Sequence, residues 1–188
     1  MRKVKYWVAN SLDDFIARKD GAVDWLFMDD TDYGMREFFA SIDTVLIGRK
    51  TYGFALGQSA GQKKRKSVSK KRKSKGASRF GMRSYVFSRT MKDAPGEDVE
   101  IISENGAEFV RNLKKEAGKD IWLMGGGELA KSLLAENLVD EIGLNIHPVL
   151  LGSGIPLFPE IGKQIDLELL DCKAHKNGCV QVTYRVKT

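Results

Sequence analysis

Short apolar runs and stretches of helical period alternate along most of this chain. Residues 3–9 (KVKYWVA), rich in β-branched and aromatic side chains, predict an interior strand. Residues 10–30 hold scattered apolar positions and turn signals such as Asp20-Gly21, so they read as a long loop. Loops of that length in a compact domain are usually functional. Tyr33, Phe38, Phe39 and Ile42 fall at helical spacing and predict a helix over 31–42. TVLI (44–47) reads as a buried strand that runs into Gly48 and opens at once into a short helix at Arg49, Lys50, Thr51 and Tyr52. SYVFS (84–88) and residues 99–102 predict two further strands, and 104–117 a helix with Ala107, Val110, Leu113 and Ala117 inward.

The most informative stretch is 120–138, DIWLMGGGELAKSLLAENL. A four-residue apolar run meets Gly125, Gly126 and Gly127, and an amphipathic helix follows with Leu129, Ala130, Leu133, Leu134 and Leu138 on one face. Strand, glycine turn and helix in that order leave free N–H groups and a positive dipole end facing a gap without side chains, a place that favours an anion such as a pyrophosphate. Residues 141–151 alternate, with Pro148 disfavouring a fully paired central strand there. Residues 167–174 and 179–186 predict two strands joined at Asn177-Gly178, a strong hairpin signal. The whole reads as a mixed α/β domain with a largely parallel centre and a closing antiparallel hairpin.

Length allows one domain, 1–188, with a core that needs neither disulfides nor metals. Cys172 and Cys179 meet no metal or redox spacing, and no run has the length of a membrane span or the core of a signal peptide, which points to a reduced, cytoplasmic protein. The net charge of +6 belongs to one segment. Ten of the 31 Lys and Arg lie in 58–79, which holds no acidic residue; the remaining 21 face 25 Asp and Glu. This low-complexity run reads first as a solvated surface insertion. Its rival reading is a nucleic-acid contact on an enzyme-like scaffold, with phosphates as the targets because no aromatic residue interleaves the run for base stacking.

Three predicted strand ends carry phosphate-compatible groups: Gly48-Arg49-Lys50-Thr51, Ser88-Arg89-Thr90, and Gly125 to Gly127 followed by Glu128. Ligands gather at the carboxyl ends of strands in open α/β sheets. A ligand with phosphates at separate places, such as NADPH, would use all three.

The order of GRKTY, VFSRT, LMGGGELA and LNIHPVLLGSGIPLF, with the opening VANSLDDFIA, resembles the dihydrofolate reductase-like proteins. Within them it is most similar to the group sharing the C-terminal reductase domain of bacterial riboflavin biosynthesis, the RibD C-terminal family. The resemblance spans nearly the whole chain apart from 58–79. It implies an eight-stranded mixed sheet flanked by helices, an NADPH site across it, a small-molecule substrate and a homodimer. Residue by residue it implies Ala9 and Ile16 near the nicotinamide, and Gly48, Arg49, Lys50 and Thr51 on phosphates. Ser88, Arg89 and Thr90 are implied at the adenosine 2′-phosphate, and Gly126, Gly127 and Glu128 at the pyrophosphate.

Counting back from Gly48 also places Asp32 where dihydrofolate reductases carry the carboxylate that faces the pterin. Asp32 is therefore the candidate for orienting a ring and assisting protonation; the other reading is a carboxylate in the first helical turn, paired with Arg36. Asp13 reads as a turn residue. His147 reads as a packed structural histidine and His175 as solvent-facing. Two positions depart from the group's pattern, Asp14 where glycine is usual and Gly53 where glutamate is frequent, so a differently shaped loop after Asn10 is expected. No deaminase motif is present. The implied activity is reduction of 5-amino-6-(5-phosphoribosylamino)uracil, with dihydrofolate reduction as the neighbouring alternative.

Overall fold

The computed structural model describes residues 1–27, 29, 31–62, 81–92 and 99–187. The basic run lies outside these apart from the backbone of 58–62, so the surface-insertion and nucleic-acid readings placed on it lie outside the described residues too.

Among the described residues, ten strands and four helices follow in the order β1 (Val4–Ser11), β2 (Phe15–Ala17), α1 (Met35–Ser41), β3 (Ile42–Gly48), α2 (Arg49–Gln62), β4 (Arg83–Phe87), β5 (Val99–Ile102), α3 (Gly106–Leu113), β6 (Asp120–Gly125), α4 (Gly127–Ala135), β7 (Glu141–His147), β8 (Ile155–Pro156), β9 (Leu167–Ala174) and β10 (Val180–Val186). Eight strands form one sheet in the order β5-β4-β3-β6-β1-β7-β10-β9. The pairings from β5 through β7 are parallel, and β10 runs antiparallel to both β7 and β9. This is the expected mixed sheet with its closing hairpin. Pro148 falls immediately after β7, past the last ladder position, so β7 pairs on both sides without conflict.

Helices α3 and α4 cover one face of the sheet. Val110, Leu113, Ala130, Leu133 and Leu134 pack there on Val4, Tyr6, Leu123 and Ile142, each fully buried aliphatic side chain contributing about 1.5–3 kcal/mol. The Tyr6 hydroxyl donates to the Leu157 carbonyl at 3.3 Å, and burial pushes the phenol pKa up. The opposite face carries Phe38, Val45, Ile47, Tyr52 and Trp122, with Trp7 against Phe38 at 4.7 Å between ring centroids. At the amino ends of the strands, the buried Arg2 guanidinium bonds to Asp43, Thr44 and the Lys119 carbonyl. That tie fixes the starts of β1, β3 and β6 together and leaves the carboxyl ends for a ligand.

Several boundaries differ from expectation, β7 ending at His147 and α4 at Ala135 among them. The long loop contains β2, which exists by pairing with β8 rather than by its own pattern. Helix α1 starts at Met35 instead of 31, because Gly34 takes φ 70° and ends the extended approach. Helix α3 covers only 106–113 of the expected 104–117. No helix among the described residues is long and apolar enough to cross a membrane.

Candidate active site at the carboxyl ends of the strands

The register brings the three glycine and arginine motifs side by side. Gly48 pairs with Phe87, immediately before Ser88, and Ile47 pairs with Gly125. The carboxyl ends of β4, β3 and β6 are thus neighbours. Contact between the last two is direct. A Cβ on Gly48 would lie 3.4 Å from the Gly125 carbonyl oxygen and 3.5 Å from the Gly126 Cα. A Cβ on Gly126 would lie 3.4 Å from the Gly48 Cα and 3.6 Å from Thr51 Oγ1. The two turns thus pack backbone against backbone. Gly125 and Gly126 also hold φ 139° and 91°, conformations that L residues rarely adopt.

Both turns open into helices. α2 starts at Arg49 directly after β3, and α4 starts at Gly127 directly after β6. No side chain caps the first turn of α4. The starts of α2 and α4 lie at neighbouring strand ends, an arrangement suited to phosphate oxygens. Arg49 and Lys50 are exposed, and Thr51 is half-buried beside Gly126. No described carboxylate forms an ion pair with Arg49, Lys50 or Arg89. Glu128 lies exposed in the first turn of α4, where the helix dipole favours a carboxylate.

Ser88 organises its own turn. Its buried Oγ accepts the N–H groups of Thr90 at 3.2 Å and Met91 at 2.9 Å, closing a turn that leaves Arg89 and Thr90 exposed. The serine shapes the display of the arginine.

Around the end of β1, Ala9 is half-buried and faces Asn145 of β7 across the ladder. Ile16 sits in β2, packed on the α3/α4 side of the core. Ser11 and Asp13 fold the connecting turn: Ser11 Oγ donates to Asp13 Oδ1 at 2.6 Å and accepts the Phe15 N–H at 3.0 Å. Asp13 also accepts the N–H groups of Leu151 at 3.1 Å and Gly152 at 2.7 Å, tying this turn to the one after β7. These bonds, the Ser11 hydroxyl first, hold its carboxyl below the usual range. Asp14 takes φ 61°, the conformation a glycine would supply, steadied by Asn10 Nδ2 at 3.3 Å. The departure from glycine therefore keeps a left-handed backbone at this position.

Asp32 is exposed and accepts the Met35 N–H at 3.1 Å, just before α1. It stands before the helix and not in its first turn, and a pairing with Arg36 is not among the ion pairs of the described residues.

A second cluster was not anticipated from the sequence as a unit. His147, 3% exposed, is ringed by Trp25, Phe27 and Tyr33 at centroid distances of 5.4, 5.2 and 6.1 Å, and its Nδ1 lies 3.6 Å from Cys179 Sγ. Burial lowers the His147 pKa and raises those of Tyr33 and Cys179. Asn177 Nδ2 donates to Asp29 Oδ2 at 2.7 Å and to the Tyr33 hydroxyl, tying Asp29 and Tyr33 to the hairpin. His147 is thus the packed histidine expected. His175 is not solvent-facing: it packs edge-on to Tyr33 at 5.0 Å, and its Nε2 is buried. The hairpin signal at Asn177-Gly178 marked the turn, but nothing local showed that Asp29 and Tyr33 would meet it.

Residues 2–181 match the family model described as the RibD C-terminal domain. The chain belongs to that family. It is 38% identical over 186 residues to the uncharacterized protein YyaP of Bacillus subtilis (strain 168), covering 97% of this chain and 94% of that one. Among solved structures, a putative riboflavin biosynthesis protein from Shewanella sp. PV-4 superposes over the whole of both chains, with TM-score 0.80 and 25% identity. The diaminohydroxyphosphoribosylaminopyrimidine deaminase/5-amino-6-(5-phosphoribosylamino)uracil reductase of Thermotoga maritima gives 0.70 at 17% identity, over 99% of this chain and 57% of that one. Dihydrofolate reductase from Enterococcus faecalis, complexed with NADP(H), gives 0.65 at 16% identity over 99% and 97%. The last two likenesses establish the dihydrofolate reductase-like fold, and the family makes this a reductase-like domain.

Proposed function

We propose that this chain is an NADPH-dependent reductase acting on a small heterocyclic or phosphoribosyl-type substrate, with 5-amino-6-(5-phosphoribosylamino)uracil as the nearest named one. The observation that carries the reading is the mutual approach of Gly48 and Gly126, which brings two glycine-led helix starts side by side at the carboxyl ends of β3 and β6. The residues fit the cofactor. The α2 start with Arg49, Lys50 and Thr51, and the backbone N–H groups of the α4 start at Gly126, Gly127 and Glu128, would hold the pyrophosphate between them, with Gly125 giving the turn its shape. Arg89 and Thr90, presented by Ser88, would take the adenosine 2′-phosphate, the group that distinguishes NADPH from NADH. Ala9 and Ile16 would flank the nicotinamide ring, and bound NADPH supplies the hydride. Asp32 would orient the substrate and assist protonation of the reduced product.

The homodimer implied by the resemblance finds support in β9, the sheet's edge, where all eight residues are exposed and Leu167, Leu169 and Leu170 are among them. Substitution tests the chemistry. Asp32→Asn should lower kcat at least about tenfold while NADPH affinity holds, because the carboxylate is assigned to the proton and not to the cofactor. Equal losses in cofactor binding would remove Asp32 from that role.

A further inference from the structure

The chain has two histidines, and both lie against Tyr33, which stands just before Gly34 and α1. Around His147 the hydrogen bonds run in one direction. Tyr33 donates its hydroxyl hydrogen to Asp29 Oδ1 at 3.2 Å, and the Cys179 thiol donates to the Tyr33 oxygen at 3.8 Å. A thiol has one hydrogen, so His147 Nδ1, 3.6 Å from Cys179 Sγ, carries its own and donates to the sulfur. Nε2 is then the basic nitrogen, and no described residue hydrogen-bonds to it. A proton taken up there makes a cation on a residue 3% exposed, with Trp25, Phe27 and Tyr33 around it.

The surrounding groups do little to compensate that charge. Asp29 favours the imidazolium, but burial outweighs it. Its carboxylate is exposed and already accepts bonds from Tyr33, Asn177 and the Thr31 N–H. On the β1 side, Ser11 pairs with His147 in the ladder, and the nearby Asp13 is turned to the Leu151 and Gly152 amides. The hairpin presents Cys179, His175 and the exposed Lys176, none of them an anion. The closed arrangement also leaves Trp25 Nε1 and His175 Nε2 buried without partners, and each would regain a bond to water on release. The ties from Asn177 to Asp29 and Tyr33 belong to no strand ladder, so they can part while β7 and β10 stay paired.

We propose that His147 is a proton-operated latch. Neutral, it seats Trp25, Phe27 and Tyr33 over the end of β7 and the β9–β10 hairpin; protonated, it releases them while the sheet stays folded. The closed form binds the His147 proton less readily than the open form does. Closure is therefore complete above pH ~6.5 and is lost as pH falls through the depressed pKa of the closed form. Asp32 stands between Thr31 and Tyr33, so release also frees the residue assigned to protonation. That consequence rests on the reductase reading; the latch itself does not.

The two cysteines of the full chain supply the test. Cys179 is buried beside His147, whereas Cys172 is exposed on β9 and serves as an internal reference. Both are labelled with 4,4′-dithiodipyridine between pH 7.5 and pH 5.0, and the rates are read by peptide mass spectrometry. Dividing the Cys179 rate by the Cys172 rate cancels the general fall in thiolate with acidity. One-proton linkage allows the ratio to climb by up to about tenfold per pH unit, and at least about fivefold is expected between pH 7 and pH 5. Far-UV circular dichroism should hold over that range. His147→Asn should give a ratio independent of pH, and His175→Gln should keep the rise. A flat wild-type ratio would overturn the inference, as would a rise that persists in His147→Asn or vanishes in His175→Gln. A rise that appears only together with loss of the far-UV signal would also overturn it, by assigning exposure to global unfolding. The labelling needs neither NADPH nor turnover, so a chain that binds no nucleotide yet shows the His147-dependent rise upholds the latch and removes the reductase reading instead.

Discussion

Replacing Gly126 by alanine isolates the feature on which the cofactor site depends. Gly126 holds φ 91° and ψ 109° as the residue before α4. A side chain in such a region costs of order 1–3 kcal/mol. The neighbours add little, since the new Cβ would stand 3.4 Å from the Gly48 Cα and 3.6 Å from Thr51 Oγ1, ordinary contact distances. For a chain of this size each kcal/mol moves the midpoint by about 2–4 °C, so Gly126→Ala should melt about 2–12 °C below wild type. Gly53→Ala is the matched control. Gly53 lies within α2 with nothing within 4 Å of its would-be Cβ, so alanine should stabilise by about 0.5–1 kcal/mol. Thermal unfolding followed by circular dichroism reads both. NADPH affinity measured alongside should fall for Gly126→Ala, whose methyl group lies between the two turns, and hold for Gly53→Ala. A Gly126→Ala protein that melts and binds like wild type would refute the reasoning.

Arg89→Ala should weaken NADPH by about 1–3 kcal/mol and leave NADH nearly unaffected, because the lost charge-assisted bonds go to the 2′-phosphate; paired fluorescence titrations measure the difference. Asp13→Ala releases the bonds that join the turn after β1 to the turn after β7, so hydrogen exchange at the Leu151 and Gly152 amides should accelerate while that of β1 and β7 stays slow. His147 titrates below its ordinary pKa because it is buried, so the unfolded chain takes up its proton more readily. Its contribution to stability is therefore complete above pH ~6.5 and is lost as pH falls through the depressed folded pKa. Denaturant unfolding between pH 7 and pH 5 should show this loss, and His147→Asn should reduce the slope; an unchanged slope would assign the acid sensitivity to other groups.

Local chemistry explains what was readable before any coordinates. β-Branched runs such as TVLI and SYVFS declared strands, and the triple glycine declared a turn because only glycine occupies φ 139° and 91° without strain. The parallel centre followed from alternation of those runs with helical stretches. What was hidden depends on register and on chain separation. His147 and Cys179 look unremarkable in their own segments, and only the antiparallel pairing of β7 with β10 sets the thiol beside the imidazole. Tyr33 and Asn177 meet across 144 positions, which no local pattern signals. Ser88 could be named from its motif, but its service to the backbone of Thr90 and Met91 became visible only in the folded turn.

Direct titration of the purified full chain with NADPH and NADH tests the central claim. Saturable NADPH binding, tighter than NADH and weakened by Arg49→Ala and by Arg89→Ala, is the expected result. Failure to bind either nucleotide would contradict the account.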